Sequence, residues 1–94
     1  MTEEEVLEAI KCGKSAYGLL MDADPKLKRR FNRISASIVK LLDDVHEHFS
    51  DASYFTASGG FHLLLGNSHS HEGHAQRSLE ALSGDQVRIG DGDY

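Results

Sequence analysis

Residues 25–49 read PKLKRRFNRISASIVKLLDDVHEHF, and this stretch decides the fold. Its apolar side chains recur at alternating intervals of four and three residues, the heptad pattern of a helix that buries one stripe. We call this stripe the seam: Leu27, Phe31, Ile34, Ile38, Leu41 and Val45. His48 continues the spacing. The pattern predicts a helix over 25–49, about 37 Å long at 1.5 Å per residue.

A first helix is predicted over 1–23. Thr2 and Glu5 have the spacing of a capping box, and the apolar side chains that follow share one face. That face carries Val6, Ile10, Tyr17 and Leu20. Gly13 interrupts it at a cost of about 1 kcal/mol relative to alanine, and we expect it to permit a close helix crossing rather than to mark a weak point. Because the residue before Pro25 is pushed out of helical geometry, the two helices are expected to form a long antiparallel hairpin.

After this hairpin the apolar period changes to two. The runs SYFTA and FHLLL within 53–65 flank Ser58-Gly59-Gly60, which is typical of a β-hairpin with glycines in its turn. A two-stranded ribbon is marginal alone, so we predict a third strand over 86–90. The loop 66–84 has room for a short helix in AQRSLEAL, and the tail 91–94 is acidic.

The predicted fold class is α+β, with a long antiparallel helical hairpin followed by a small antiparallel sheet of two or three strands. A chain of 94 residues is expected to form a single domain over 1–94, because two cores of half that size would be hard to stabilise. The one cysteine, Cys12, cannot form an internal disulfide. The N-terminal stretch MTEEEVLEAI is acidic where a secretory signal is basic, so we expect a cytoplasmic protein without a membrane span.

Charge is segregated along the chain. Residues 1–24 hold six acidic and two basic side chains, 25–49 hold three acidic and six basic, and 50–94 hold six acidic and two basic. In an antiparallel hairpin one end would be negative and the joint positive. Two such hairpins packed antiparallel about a two-fold axis would set acid against base twice and bury the seam. The sequence therefore predicts a homodimer whose interface is the seam.

Five basic residues crowd the start of the second helix, where the helix dipole favours acids instead. We call them the basic block: Lys26, Lys28, Arg29, Arg30 and Arg33. They are candidates for charge complementarity in the dimer. The alternative is binding of a nucleic-acid backbone, because interleaved basic side chains can contact phosphates.

The loop GNSHSHEGH, residues 66–74, supplies the candidate metal ligands His69, His71 and His74, with His62 on the preceding strand. Imidazoles bind zinc, nickel and copper. A Gly/Ser loop holds ligands poorly, however, and the spacing matches no established site. We therefore expect a solvated connection and no metal or other cofactor, with metal binding as a second alternative.

The string YFTASGGFHLLLG together with VRIGDGDY resembles the small accessory proteins encoded by phages and prophages of enteric bacteria. The resemblance covers the C-terminal half and carries no catalytic motif. It implies a bacterial cytoplasmic setting and a protein that acts by binding. We therefore expect a non-enzymatic interaction module, accessory or regulatory, whose partners are a second copy and another protein.

Overall fold

The computed structural model describes residues 1–57, 59–84 and 87–90. In chain order the elements are α1 (Glu3–Lys11), α2 (Ala16–Ala23), α3 (Lys26–His46), β1 (Ser53–Ala57), β2 (Gly60–Leu64), a 3₁₀ turn (Arg77–Leu79) and β3 (Glu80–Gly84). The α+β class and the antiparallel sheet are confirmed. Residue contacts divide the chain into two compact units, Met1–Ile38 and Val39–Tyr94, and the single domain stays a prediction.

Side-chain caps define the helix starts in the first unit. The Thr2 hydroxyl accepts from the Glu5 amide at 3.2 Å, and the Glu5 carboxylate accepts from the Thr2 amide at 3.0 Å, completing the capping box. These hydrogen bonds from Thr2 hold the pKa of Glu5 below its ordinary value. Ser15 caps α2 by accepting from the Gly18 amide at 3.0 Å. At the start of α3, the Asp24 carboxylate accepts from the Lys26 amide at 3.0 Å.

The predicted first helix over 1–23 is two helices, and a long helical hairpin is not confirmed. The break lies at Gly13, whose φ of +98° is outside helical geometry and favours glycine. The new start at Ser15 then has its own cap. The expectation that Gly13 permits a close crossing is wrong, since an added Cβ would meet nothing within 4 Å. The glycine marks the weak point.

The second unit is built on the three-stranded sheet in the order β1-β2-β3. Its hairpin lies in the predicted segment, with Phe55 opposite His62 and Ala57 opposite Gly60. Gly59 supplies the positive φ of the turn, at +76°. α3, the predicted second helix, ends at His46, three residues before the predicted boundary. The His46 Nε2 lies 2.7 Å from the Ala52 carbonyl oxygen across the turn into β1.

The third strand is Glu80–Gly84 rather than the predicted 86–90, and it begins within the segment predicted as a short helix. Phe61 pairs with Gly84, and a Cβ at Gly84 would lie 2.7 Å from the Phe61 ring. A side chain at position 84 would therefore require the Phe61 ring to move. The described residues 87–90 form no strand, although the Ile89 amide donates to the Gly59 carbonyl at 2.9 Å. Gln86 and the predicted tail 91–94 lie outside the described residues.

Burial is confined to the second unit. The buried apolar residues are Ala52, Leu63 and Leu64, whereas all of 1–38 is described and no residue there is buried. Among the described residues, no helix has the length and apolar composition that crossing a bilayer requires.

Gly13→Ala separates a broken first helix from a continuous one. Because alanine is strained at a φ of +98°, the substitution should lower the unfolding free energy by about 1 kcal/mol. In a continuous helix it would raise that free energy by about 1 kcal/mol. Urea denaturation followed by circular dichroism measures the difference.

The matched control is Gly90→Ala, since an added Cβ there meets nothing within 4 Å and φ is not positive. The control should leave stability near wild type. A stabilising effect of Gly13→Ala would contradict the break.

Candidate functional site

The seam is largely exposed in the structure. Phe31 is 71% exposed, Ile34 58%, Leu41 46% and Ile38 39%. Leu27 and Val45 at the two ends are half-buried. A large contiguous patch of exposed apolar side chains often marks an interaction surface. The structure leaves most of the seam available to a partner, and the dimer interface itself stays a prediction.

The basic block lies at the start of α3. Of its five residues, Lys28 alone has a side-chain hydrogen bond to another described residue. The Lys28 Nζ donates to the Tyr17 hydroxyl at 3.0 Å and lies 5.2 Å from the Tyr17 ring centre. The described residues contain no ion pair that involves the block; Lys40 and Asp44 pair further along α3 at 3.8 Å, both exposed. The block is therefore free to meet an acidic or phosphate partner.

The loop histidines do not converge. Among the residues that the structure describes, no three side chains of the metal-ligating types are placed to hold an ion. The loop is nevertheless ordered by its own hydrogen bonds, because His69 and Ala75 form a β-bridge and the Ser70 amide donates to the His74 carbonyl at 2.8 Å. Gly73 closes the turn with a φ of +83°. The loop is thus a small hairpin rather than a flexible connection.

His62 is separate from these loop histidines and belongs to the sheet. Its Nδ1 lies 2.5 Å from the Glu80 carboxylate and 3.1 Å from the Ser83 hydroxyl. Its Nε2 lies 3.2 Å from the Ala57 carbonyl oxygen. Both ring nitrogens therefore face protein groups, and the ring side chain is only 15% exposed. This arrangement fixes β2 between its two neighbours and leaves no ring nitrogen for a metal.

Glu80 and Ser83 are functional candidates that the sequence reasoning missed. They lie on β3, in a segment whose Leu79 and Leu82 have helical spacing. Glu80 and Ser83 are three residues apart, so a regular strand would place them on opposite faces. The register shift between Leu63 and Leu64 places Ser83 opposite His62 and Glu80 opposite Leu64. The sequence carries no signal for that shift.

Two further residues complete the account. Cys12 is exposed at the end of α1. Tyr54 lies on the sheet face opposite His62, with its ring edge-on to Phe61 at 5.8 Å, and burial raises the pKa of the Tyr54 hydroxyl.

No protein-family model matches this chain, and neither a curated protein nor a solved structure shows significant similarity to it.

Glu80→Gln tests the link between β2 and β3. It removes the charge that faces His62 but keeps the shape of the side chain. Since Glu80 is 43% exposed, solvent screens the pair, and the expected loss of unfolding free energy is about 0.5 kcal/mol in urea denaturation.

Glu72→Gln is the control, because Glu72 is exposed in the loop and forms no ion pair with another described residue. It should leave stability unchanged. Equal effects of the two substitutions would show that the pair of His62 and Glu80 does not stabilise the sheet.

Proposed function

We propose that this protein is a non-catalytic interaction module that forms a homodimer through the seam. The observation that carries the proposal is that Met1–Ile38 contains several large apolar side chains and no buried residue. Phe31 and Ile34 are each more than half exposed. A helix with such a stripe gains most of its stability by covering it.

A second copy suits the seam because the seam spacing is symmetric. The intervals 4, 3, 4, 3, 4 read the same in both directions. Two copies of α3 packed antiparallel, with the two-fold axis at the level of Ala36, would therefore place every seam residue in a layer with another. The facing pairs are Leu27 with Val45, Phe31 with Leu41, and Ile34 with Ile38. No insertion or gap is needed.

Charge favours the same direction of packing. With Phe31 at heptad position a, Arg30 and Asp44 both occupy position g, which flanks the seam. In the antiparallel pair, Arg30 of one copy comes beside Asp44 of the other, twice by symmetry. Parallel packing would instead bring the two basic blocks together. Charge thus selects the direction, and apolar burial supplies the affinity.

The setting that we infer is bacterial and cytoplasmic, in keeping with the resemblance to phage and prophage accessory proteins. A protein of this kind acts by occupying another protein. The dimer would present two sheets and two loop hairpins for that purpose. No substrate or cofactor is required by the proposal.

Binding of nucleic acid is the second candidate function, and the observation in its favour is the basic block without ion-pair partners among the described residues. It requires affinity for DNA or RNA that falls steeply as salt rises. Charge reversal at Arg29, Arg30 and Arg33 would abolish that affinity. Fluorescence anisotropy with a labelled duplex at two salt concentrations distinguishes this candidate from the dimer alone. No observation favours the third candidate, metal binding through the loop histidines.

Ile34→Asp should dissociate the dimer. The substitution removes two buried isoleucines from the two-fold related layers, worth about 1.5 kcal/mol each, and so raises the dimer dissociation constant at least about 100-fold. Because Ile34 is 58% exposed, the isolated chain should still fold. Sedimentation equilibrium measures the mass.

The control is Val39→Asp, since Val39 is 62% exposed on the same helix but lies outside the seam. It should remain dimeric. A wild-type chain that is monomeric at high concentration would overturn the proposal, as would equal behaviour of the two variants.

A charge exchange tests the direction of packing. Arg30→Glu or Asp44→Arg alone should weaken the dimer about fivefold, because two exposed pairs of about 0.5 kcal/mol each are lost. The double variant should recover the wild-type constant. Arg29→Glu is the control, since Arg29 lies on the outer face in this arrangement and should change little. Failure of the double variant to recover would rule out the antiparallel pairing.

A further inference from the structure

The second unit contains a cavity that lies on one face of its sheet and is independent of the seam. Its volume is about 460 Å³, within the roughly 300–1,000 Å³ of small-molecule sites. Side chains alternate along a strand, and Phe55, His62 and Leu64 lie on the face that lines it. The loop hairpin and the 3₁₀ turn form the opposite wall.

The apolar part of the cavity is suited to a ring. Phe55, Ala57 and Leu64 line its floor, and Ala75 lines the loop side. The Phe55 ring lies edge-on to the His69 ring, with 6.3 Å between centres and 75° between planes. Aromatic rings prefer this geometry and its offset-stacked counterpart. A flat apolar group would contact the same side chains.

The polar part of the cavity carries an unneutralised cation. Arg77 lines the cavity and forms no ion pair with any residue that the structure describes. Glu80 also lines it, and its carboxylate lies 2.5 Å from the His62 Nδ1. The planar fork of the Arg77 guanidinium matches a carboxylate.

Hydrogen bonds hold these groups in place before any ligand arrives. The Gln76 side chain donates to the Asn67 carbonyl at 2.9 Å, and the Gln76 amide donates to the Ser68 carbonyl at 2.8 Å. The Leu65 amide donates to the Leu79 carbonyl at 2.9 Å, which ties the 3₁₀ turn to the end of β2. A site ordered in this way does not have to be organised on binding.

We infer that this cavity binds a small aromatic carboxylate. The carboxylate pairs with Arg77, and the ring lies against Phe55 and Leu64. His69 stands at the rim, where the Ser68 hydroxyl lies 3.0 Å from its Nδ1.

Sodium benzoate is the probe, and benzamide is its uncharged match. A ¹H-¹⁵N correlation titration of the full chain should show benzoate shifting the amides of residues 68–77 and of β2, with a dissociation constant on the order of 1 mM for so small a ligand. Benzamide should bind at least about tenfold more weakly, because the guanidinium loses its partner. Cyclohexanecarboxylate reports the preference for a flat ring and should bind more weakly than benzoate.

Arg77→Gln should reduce benzoate binding to the level of benzamide, and Arg29→Gln in the basic block should leave it unchanged. The same spectra report whether each variant is folded. Phe55→Leu keeps an apolar wall. It should weaken the binding of benzoate and leave the binding of cyclohexanecarboxylate unchanged. Equal binding of benzoate and benzamide, shifts outside the cavity, or full binding by folded Arg77→Gln would each overturn the assignment.

Discussion

The exposed apolar stripe of α3 is the constraint on which the rest of this account depends. Its residues have the spacing of a helix that packs along its whole length, yet Phe31 and Ile34 are mostly exposed and nothing in Met1–Ile38 is buried. Two short helices cannot enclose so long a stripe, since α1 and α2 have nine and eight residues against the 21 of α3. Hydrophobic burial is the main source of folding free energy, so the first unit is the part of the molecule with most to gain from a partner.

The second unit buries apolar side chains of its own, which the first unit does not. Leu63 and Leu64 are buried in β2, and the central strand is held on both sides by paired neighbours. His62 adds side-chain contacts to both neighbouring strands, through Ala57 and through Glu80. A sheet ordered in this way can keep a cavity open on one face. The molecule thus combines a region suited to assembly with a region suited to holding a small ligand, and the two can be tested separately.

Patterns with many repeats were predictable from the sequence, and single conformational choices were not. The alternating four- and three-residue spacing of the seam predicted α3, and SYFTA with FHLLL predicted the hairpin, because each signal is repeated several times. Gly13 gave one residue to decide between a crossing and a break; its φ is +98°, and a new helix cap follows at Ser15. The strand Glu80–Gly84 was missed because Leu79 and Leu82 have helical spacing. The pairing that makes this segment a strand is with β2, where Phe61 lies opposite Gly84 and is far away in sequence. The cavity depends on that same strand, so Arg77 and Glu80 could not be placed together in advance.

Disulfide cross-linking near the two-fold axis tests the central claim most directly. In a Cys12→Ser background, Ser37→Cys places a thiol next to the two-fold axis, offset from its copy by about 3 Å along the helix axis at 1.5 Å per residue. Arg30→Cys places the two thiols about 18 Å apart along the helix axis. Mild oxidation should therefore give a covalent dimer for Ser37→Cys and none for Arg30→Cys. When the Arg30→Cys and Asp44→Cys variants are mixed, oxidation should give a dimer that contains one chain of each. No cross-link at position 37, or equal cross-linking at positions 37 and 30, would contradict the antiparallel packing of two copies on the seam.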